Sequence, residues 1–249
     1  MDNNEKIAII SDIHGNTWAL ESVLKDINEK AITTIFNLGD SLYGPLDPKG
    51  TYNLIRENRI ISILGNEDRL ILENKEEIRI ENITLKYVFQ NINNEVIIWL
   101  ESLRNNLIID DFFLCHGTPR IDDEYLIENI IKNQIICKKN TEIFDQIKNV
   151  SQKFICCGHS HIFHLIKMKS NQYIINPGSV GLQAYDDVHP SYHKIESGTN
   201  KASYCIITRE DHDYSVDRIL VSYDWKSAYE LAMKNNHKNW ANWIRTGRV

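Results

Sequence analysis

Apolar residues in this chain come in short runs, and their spacing alternates between two periods. Lys6–Ser11 is a compact β-branched run that predicts a strand, and Thr17–Glu29 repeats at helical spacing through Leu20, Val23, Leu24 and Ile27. Ile32–Leu38 and Ile60–Leu64 predict two more strands, with a helix over Tyr52–Asn58 between them. This βαβαβ rhythm implies parallel strands with helices packed outside. Glu73–Gln90 has no clear period, whereas Asn94–Asn105 places Val96, Ile97, Leu100 and Leu103 on one helical face. Further on, Leu107–Cys115 predicts two short strands around Asp110-Asp111, and Glu142–Val150 a helix. Lys153–Cys157, Phe163–Met168 and Tyr173–Ile175 are strands, the last two joined by a turn at Ser170-Asn171. Ser203–Thr208 and Ser215–Val221 form a hairpin, and Lys226–Asn235 a closing helix. With no repeat or linker to divide it, 1–249 is expected to form one α/β domain, a two-sheet β-sandwich flanked by helices on both outer faces.

The strand ends carry the chemistry. Ser11-Asp12-Ile13-His14-Gly15-Asn16 follows the first strand, Gly39-Asp40 the second, and Gly65-Asn66-Glu67-Asp68 the third. His116-Gly117 follows Phe112–Cys115, and Gly158-His159-Ser160-His161 follows Lys153–Cys157. Ligands of open α/β sheets bind at the carboxyl ends of strands, so parallel neighbours would gather these groups into one cleft. Carboxylate, amide and imidazole donors suit divalent transition metals. Read as extended backbone, Asp12-x-His14 and His159-x-His161 would each place two side chains on one side. Any one of these fragments is commonplace; all five in order at successive strand ends point to a metal site.

The ordered set resembles the calcineurin-like metallophosphoesterase superfamily, whose pattern is D-x-H, G-D, G-N-H-[D/E], H and G-H-x-H. The match spans Asp12 to His161, and with Asn176-Pro177-Gly178-Ser179-Val180 it most resembles the small bacterial and archaeal phosphodiesterase branch. The resemblance implies two divalent metal ions, Mn²⁺ or Fe²⁺ before Ni²⁺, Zn²⁺ or Mg²⁺. Asp12, His14 and His161 would take one ion; Asn66, His116 and His159 would take the other; Asp40 would bridge them. It also implies hydrolysis of a phosphodiester or activated monoester by attack of a metal-bridging hydroxide. One position departs from the pattern. Glu67 occupies the slot of the family's leaving-group histidine, while Asp68, which normally orients that histidine, is retained. Asp40, Asn66, Glu67 and Asp68 are therefore the expected catalytic group, with the general acid open. Good leaving groups are expected to react best. The same fold also serves as a non-catalytic interaction scaffold in a relative that lacks the motif histidine. The four metal-ligand histidines kept here argue against that alternative.

Other residues have two readings each. Asn16 and the Gly15 backbone either touch substrate phosphate or, for Asn16, cap the following helix. Asn176 to Val180 is expected to shape a turn near the metals. Ala184–Ser197, with Tyr185, Asp186, Asp187, His189, Tyr192 and His193, reads as a solvated loop ahead of a cleft rim. His164 is expected to face the sheet, and His212 and His237 the surface. Trp225, Trp240 and Trp243 read as core or a packing edge, or as an oligomer contact if exposed.

Composition narrows the classes. The formal net charge of −6 disfavours binding through phosphate-backbone attraction, and a nuclease would need a basic, aromatic-lined groove. Nucleic acid is therefore not an expected partner, a small phosphorylated substrate is, and a homo-oligomer is left open. Five cysteines, with Cys156 and Cys157 adjacent and no CxxC pair, indicate reduced buried thiols. No apolar run is long enough for a membrane span and the start shows no leader pattern, so a cytoplasmic location is expected.

Overall fold

The computed structural model describes residues 5–77, 81–210 and 213–249. Strand β1 (Lys6–Ile10) shows why two sheets form. Ala8 and Ile10 enter one hydrophobic cluster, and Ile7 and Ile9 enter another, so both faces of the strand are buried. Each isoleucine so buried contributes about 1.5–3 kcal/mol. Helix α1 (Thr17–Glu29) returns the chain to strand β2 (Thr34–Asn37), and α2 (Pro48–Glu57) returns it to β3 (Ile61–Ser62). The three strands are parallel in the order β1-β2-β3. Strands β13 (Ala202–Glu210) and β14 (Asp213–Val221) add an antiparallel hairpin beside β1 and complete the first sheet.

The second sheet is built around β5 (Phe112–Cys115), β8 (Phe154–Cys156) and β10 (Tyr173–Pro177), which run parallel. Strands β4 (Asn106–Ile109) and β9 (Phe163–Lys167) form its antiparallel edges. Phe112, Leu114, Phe154 and Cys156 meet Ile7, Ile9, Phe36 and Leu38 of the first sheet in the shared core. The alternate residues Phe113, Cys115 and Ile155 face outward against α6 (Asn140–Ile147), through Ile143 and Ile147. On the far side of the first sheet lie α1, α2, α5 (Asn94–Ser102), α7 (Trp225–Lys234) and α8 (Lys238–Thr246). The expected sandwich with helices on both outer faces is what the chain forms.

Several elements escaped the sequence reading. Helix α3 (Asn66–Glu73) begins inside the Gly65-Asn66-Glu67-Asp68 segment. Helix α4 (Ile83–Asn91) lies in the stretch without a clear period, and its β-branched and aromatic residues mask the helix. Its start is fixed by Asn82, whose side chain accepts from the N–H groups of Thr84 and Leu85. The hairpin β6 (Glu128–Ile131) and β7 (Gln134–Cys137) turns at Lys132 and Asn133, both with positive φ. Ala184–Ser197 is not a solvated loop: β11 (Ala184–Asp187) pairs with β12 (His193–Glu196), and His193 is buried. The chain does not close at Asn235 either, because α8 follows and packs on α7 and β11. His237 precedes α8 and is buried rather than at the surface, whereas His212 lies outside the described residues. Among the described residues no helix is long and apolar enough to cross a membrane.

Candidate metal centre

The carboxyl ends of β1, β2, β3, β5 and β8 converge on one cleft. Asp12, His14 and His161 bring ligand atoms within 4.8 Å of one another, and so do Asp40, His116 and His159. Of these, His14, Asp40, His159 and His161 line a cavity of about 270 Å³ together with Tyr43, Asn66, Glu67, Leu182, Tyr185, Asp186, Asp187, Trp240 and Trp243. Asp12 and His116 are completely buried, and Asp40 and His14 are nearly so.

The backbone achieves this in an unexpected way. Asp12, His14, Asp40, His159 and His161 all have φ between 51° and 69°, in the left-handed region. The i, i+2 pairs are thus not extended, as the strand period had suggested; each pair sits in a tight turn just beyond its strand. A non-glycine residue held there costs on the order of 1–3 kcal/mol and persists only where its surroundings over-determine it. Backbone hydrogen bonds do that here, with Asp12 N–H donating to Gly39 O and His14 N–H to Asp40 O. Close approach does the rest. A Cβ on Gly65 would lie 2.2 Å from Asp40 Oδ1, and one on Gly39, at φ 98°, would lie 2.5 Å from Gly65 N.

The imidazoles are oriented from behind. The Nδ1 atoms of His14, His116 and His161 meet the carbonyls of Tyr43, Leu38 and Leu182 at 3.0, 2.7 and 2.7 Å. An Nδ1–H donated to a carbonyl leaves Nε2 as a lone pair facing inward, the usual arrangement behind a metal-bound histidine. The Nε2 atoms of His14 and His161 then lie 3.1 Å apart, so a proton or a cation must sit between them. Both carboxylate oxygens of Asp12, Asn66 Oδ1 and His116 Nε2 are buried without a hydrogen-bond partner. His116 Nε2 is 3.2 Å from Asp40 Oδ2 but lacks hydrogen-bond geometry, so we read the two as converging donors rather than a bonded pair. Orphaned buried polar atoms are rare, and a converging oxygen and nitrogen set suits divalent metal ions.

Electrostatics of the metal-free protein reflect the crowding. Burial works to raise Asp12 and Asp40, but His161 beside the first and His116 beside the second outweigh it and hold both carboxyls low. Burial alone would depress His14 and His116, yet the carboxylates facing them raise them to about 9 and about 10. His159, desolvated and next to His116, falls to about 4 and stays neutral at pH 7. Burial pushes Glu67 up to about 7, opposed by His14 and reinforced by Asp40 and Asp68.

The remaining expected site residues divide between cleft and scaffold. Glu67 lines the cleft with Oε2 3.2 Å from His14 Nδ1. Asp68 does not line it; its carboxylate accepts from the backbone N–H groups of Ser41 and Leu42 and so fixes the turn that carries Asp40. Gly15 and Asn16 also serve the scaffold. Gly15 N–H donates to Ser41 O, and Asn16 caps α1 through Ala19 N–H while its amide donates to Gly181 O. Asn176 shapes the site from behind by donating to Gly158 O and Ser160 Oγ.

Three supports were not legible in the motifs. Glu128 accepts from Ser160 Oγ at 2.7 Å and lies 2.9 Å from His164 Nε2, clamping the loop between the two ligand histidines. Tyr125 stacks on His159, and Tyr185 packs edge-on against His161. The two hydroxyls meet at 2.8 Å, and Tyr125 also reaches His193 Nε2. Trp240 stands edge-on to His14 with ring centroids 5.7 Å apart. Tyr185 falls in the segment that had a cleft-rim reading, whereas no motif marks Tyr125, and the tryptophan's role is set by helix docking.

Comparisons with known proteins agree with this architecture. The model described as the calcineurin-like phosphoesterase superfamily domain matches residues 6–200. An uncharacterized protein of Methanocaldococcus jannaschii is 32% identical over 260 aligned residues, covering 94% of both chains. A metallophosphoesterase from Sphaerobacter thermophilus superposes with TM-score 0.75 at 25% identity, over 98% of this chain and 100% of that one. A putative diadenosine tetraphosphatase shares the fold, at TM-score 0.53 and 17% identity over 88% of this chain and 96% of that one.

Proposed function

This chain belongs to the calcineurin-like phosphoesterase superfamily, and from that premise we propose that it hydrolyses a phosphodiester or an activated phosphomonoester at a pair of divalent cations. The observation that carries the reading is the set of buried, unpartnered donors on Asp12, Asn66 and His116, with His116 Nε2 3.9 Å from Asp12 Oδ1. Asp12, His14 and His161 would hold one ion, Asn66, His116 and His159 the other, and Asp40 both. Manganese or iron is our first assignment, since nitrogen and oxygen donors without sulfur suit these ions; nickel, zinc and magnesium remain compatible. Such a pair, when bound, supplies Lewis acidity to the phosphoryl oxygens and activates water for in-line displacement.

The chain's own residues do the rest. Asp40 lies between the two donor groups, and Glu67 N–H donates to its Oδ1 at 2.8 Å, which fixes the carboxylate's rotation. Among the described residues no Lys or Arg lines the cavity, so the phosphate's negative charge has to be met by the cations. Glu67 in the cleft takes the place of the histidine that would serve the leaving group, and its pairing with His14 ties it to metal-site geometry. Leaving-group departure therefore depends on the substrate, and aryl esters or diesters with good leaving groups should turn over faster than alkyl monoesters. A substrate panel on Mn²⁺-reconstituted protein, with Asp40→Asn as control, tests this. Hydrolysis lost in the variant is expected; full activity in Asp40→Asn, or a preference for alkyl monoesters, would refute it.

A further inference from the structure

Helix α8 lies wholly beyond the segment matched to the superfamily, yet it forms one wall of the cleft. Trp240 and Trp243 sit three residues apart on it, on one face, with ring centroids 6.2 Å apart. Trp240 also lies against Tyr43, and Gly44 leaves the room it needs: a Cβ there would come within 3.1 Å of the indole. The helix is held by several contacts. Gly198 N–H donates to Gly247 O, and Val249 N–H donates to Glu196 Oε1. The cleft is therefore lined by expected metal ligands, by Trp240, Trp243 and Leu182, and by the carboxylates of Asp186 and Asp187.

Two further observations limit what can lie there. Among the described residues no Lys or Arg lines the cavity, and Asp186 and Asp187 make its rim acidic, so a further phosphate or carboxylate lying against that rim would be repelled. A second cavity of about 740 Å³, lined in part by Tyr125, Lys138 and Glu128, meets the first at Asn66, His159 and Asp187. A phosphorus atom held at the metals would thus have two spaces beside it, one for each substituent, and only the first is walled by tryptophan.

Resting on the phosphoesterase reading above, we infer that the substrate is a singly charged phosphodiester with one flat aromatic or heteroaromatic ester group, seated against Trp240 and Trp243. Helix α8 is then the element that sets substrate class. A planar group can lie against Trp240, Trp243 and Leu182, which line the same cavity as the ligand histidines, and aromatic contacts of this kind add to simple area burial.

The test uses the full-length, Mn²⁺-reconstituted protein, with bis(p-nitrophenyl) phosphate as the reporter substrate. Diphenyl phosphate and dimethyl phosphate serve as competing inhibitors of equal charge. Wild-type protein should bind diphenyl phosphate about tenfold more tightly, equivalent to about 1.4 kcal/mol. Trp240→Ala should bring that ratio towards one, and Trp240→Phe should restore most of it. Equal inhibition of wild type by the two diesters overturns the inference, as does a ratio that survives Trp240→Ala. Should Trp240→Ala not fold, the wild-type ratio and Trp240→Phe still decide the matter. Calorimetric binding of the two diesters gives the same ratio without turnover, so absent hydrolysis of bis(p-nitrophenyl) phosphate would strike the phosphoesterase reading itself while the ratio still tests α8. Hydrolysis without aryl selectivity would strike only the role of α8.

Discussion

At the scale of single residues, the cleft is a set of side chains held in costly conformations for the sake of where their donor atoms point. Five of the seven expected ligands have positive φ, and the imidazoles of His14, His116 and His161 are turned by backbone carbonyls. Glu67 belongs to this orienting group, since its carboxylate and the Tyr43 carbonyl both lie within 3.2 Å of His14 Nδ1. Removing one such orienting partner costs about 10–100-fold in metal affinity. Glu67→Gln should therefore weaken metal binding about tenfold by competition with a chromophoric chelator, with the melting temperature of the metal-free protein little changed. An unchanged metal affinity would show that Glu67 acts only on substrate. Asp68 teaches the converse lesson. Its place in the motif suggested chemistry, but its two oxygens are spent on the Ser41 and Leu42 amides.

At the scale of elements, two ties connect parts of the chain far apart in sequence. The first is Glu128 on β6, which holds the loop between His159 and His161 through Ser160. Glu128→Ala leaves the buried Ser160 hydroxyl without that acceptor and should cost about 1–3 kcal/mol of stability, seen in urea melts, along with weaker metal retention. Urea midpoints that match wild type would remove Glu128 from this role. The second tie joins α1 to β13: the Tyr204 hydroxyl donates to Asp26 Oδ2 at 2.5 Å, and Lys30 pairs with Oδ1. Burial acts to raise the Asp26 carboxyl, but these hydrogen bonds prevail and hold it below 3.8. A carboxyl depressed in the folded state adds stability above its unfolded value and loses it as pH falls through the folded value. Asp26→Asn should accordingly destabilise the protein at pH 7, by a margin that shrinks as pH drops below about 4. A margin constant with pH would contradict the assignment. The elements also show where sequence patterning runs out. Strands β1, β5 and β8 were legible because both of their faces are apolar at period two, whereas α4 carries β-branched and aromatic residues that hide its turn. The β6–β7 turn uses Lys132-Asn133 instead of an Asn-Gly signal, and so gave no mark in the sequence.

At the scale of the whole molecule, the sandwich and the centre depend on one arrangement. Parallel strands in each sheet end on the same side, and the polar residues that follow them meet there. That much could be read from the chain, since each expected ligand follows a strand with a glycine nearby. The surroundings were less legible, because Tyr185 and Trp240 reach the cleft through tertiary docking of β11 and α8, and Tyr125 reaches it from the segment before β6. A centre assembled from both sheets must also be linked to global stability. Free metal at 100 times its dissociation constant should stabilise the fold by about 2.7 kcal/mol, visible as a higher melting temperature with Mn²⁺ than with chelator. No shift at saturating metal would contradict that linkage.

The most direct test of the central claim is anomalous diffraction from crystals soaked in Mn²⁺. The account predicts two peaks about 3.5–4 Å apart, with Asp40 between them and Asp12, His14 and His161 on one side. A single peak, or two peaks that do not share Asp40, would contradict it.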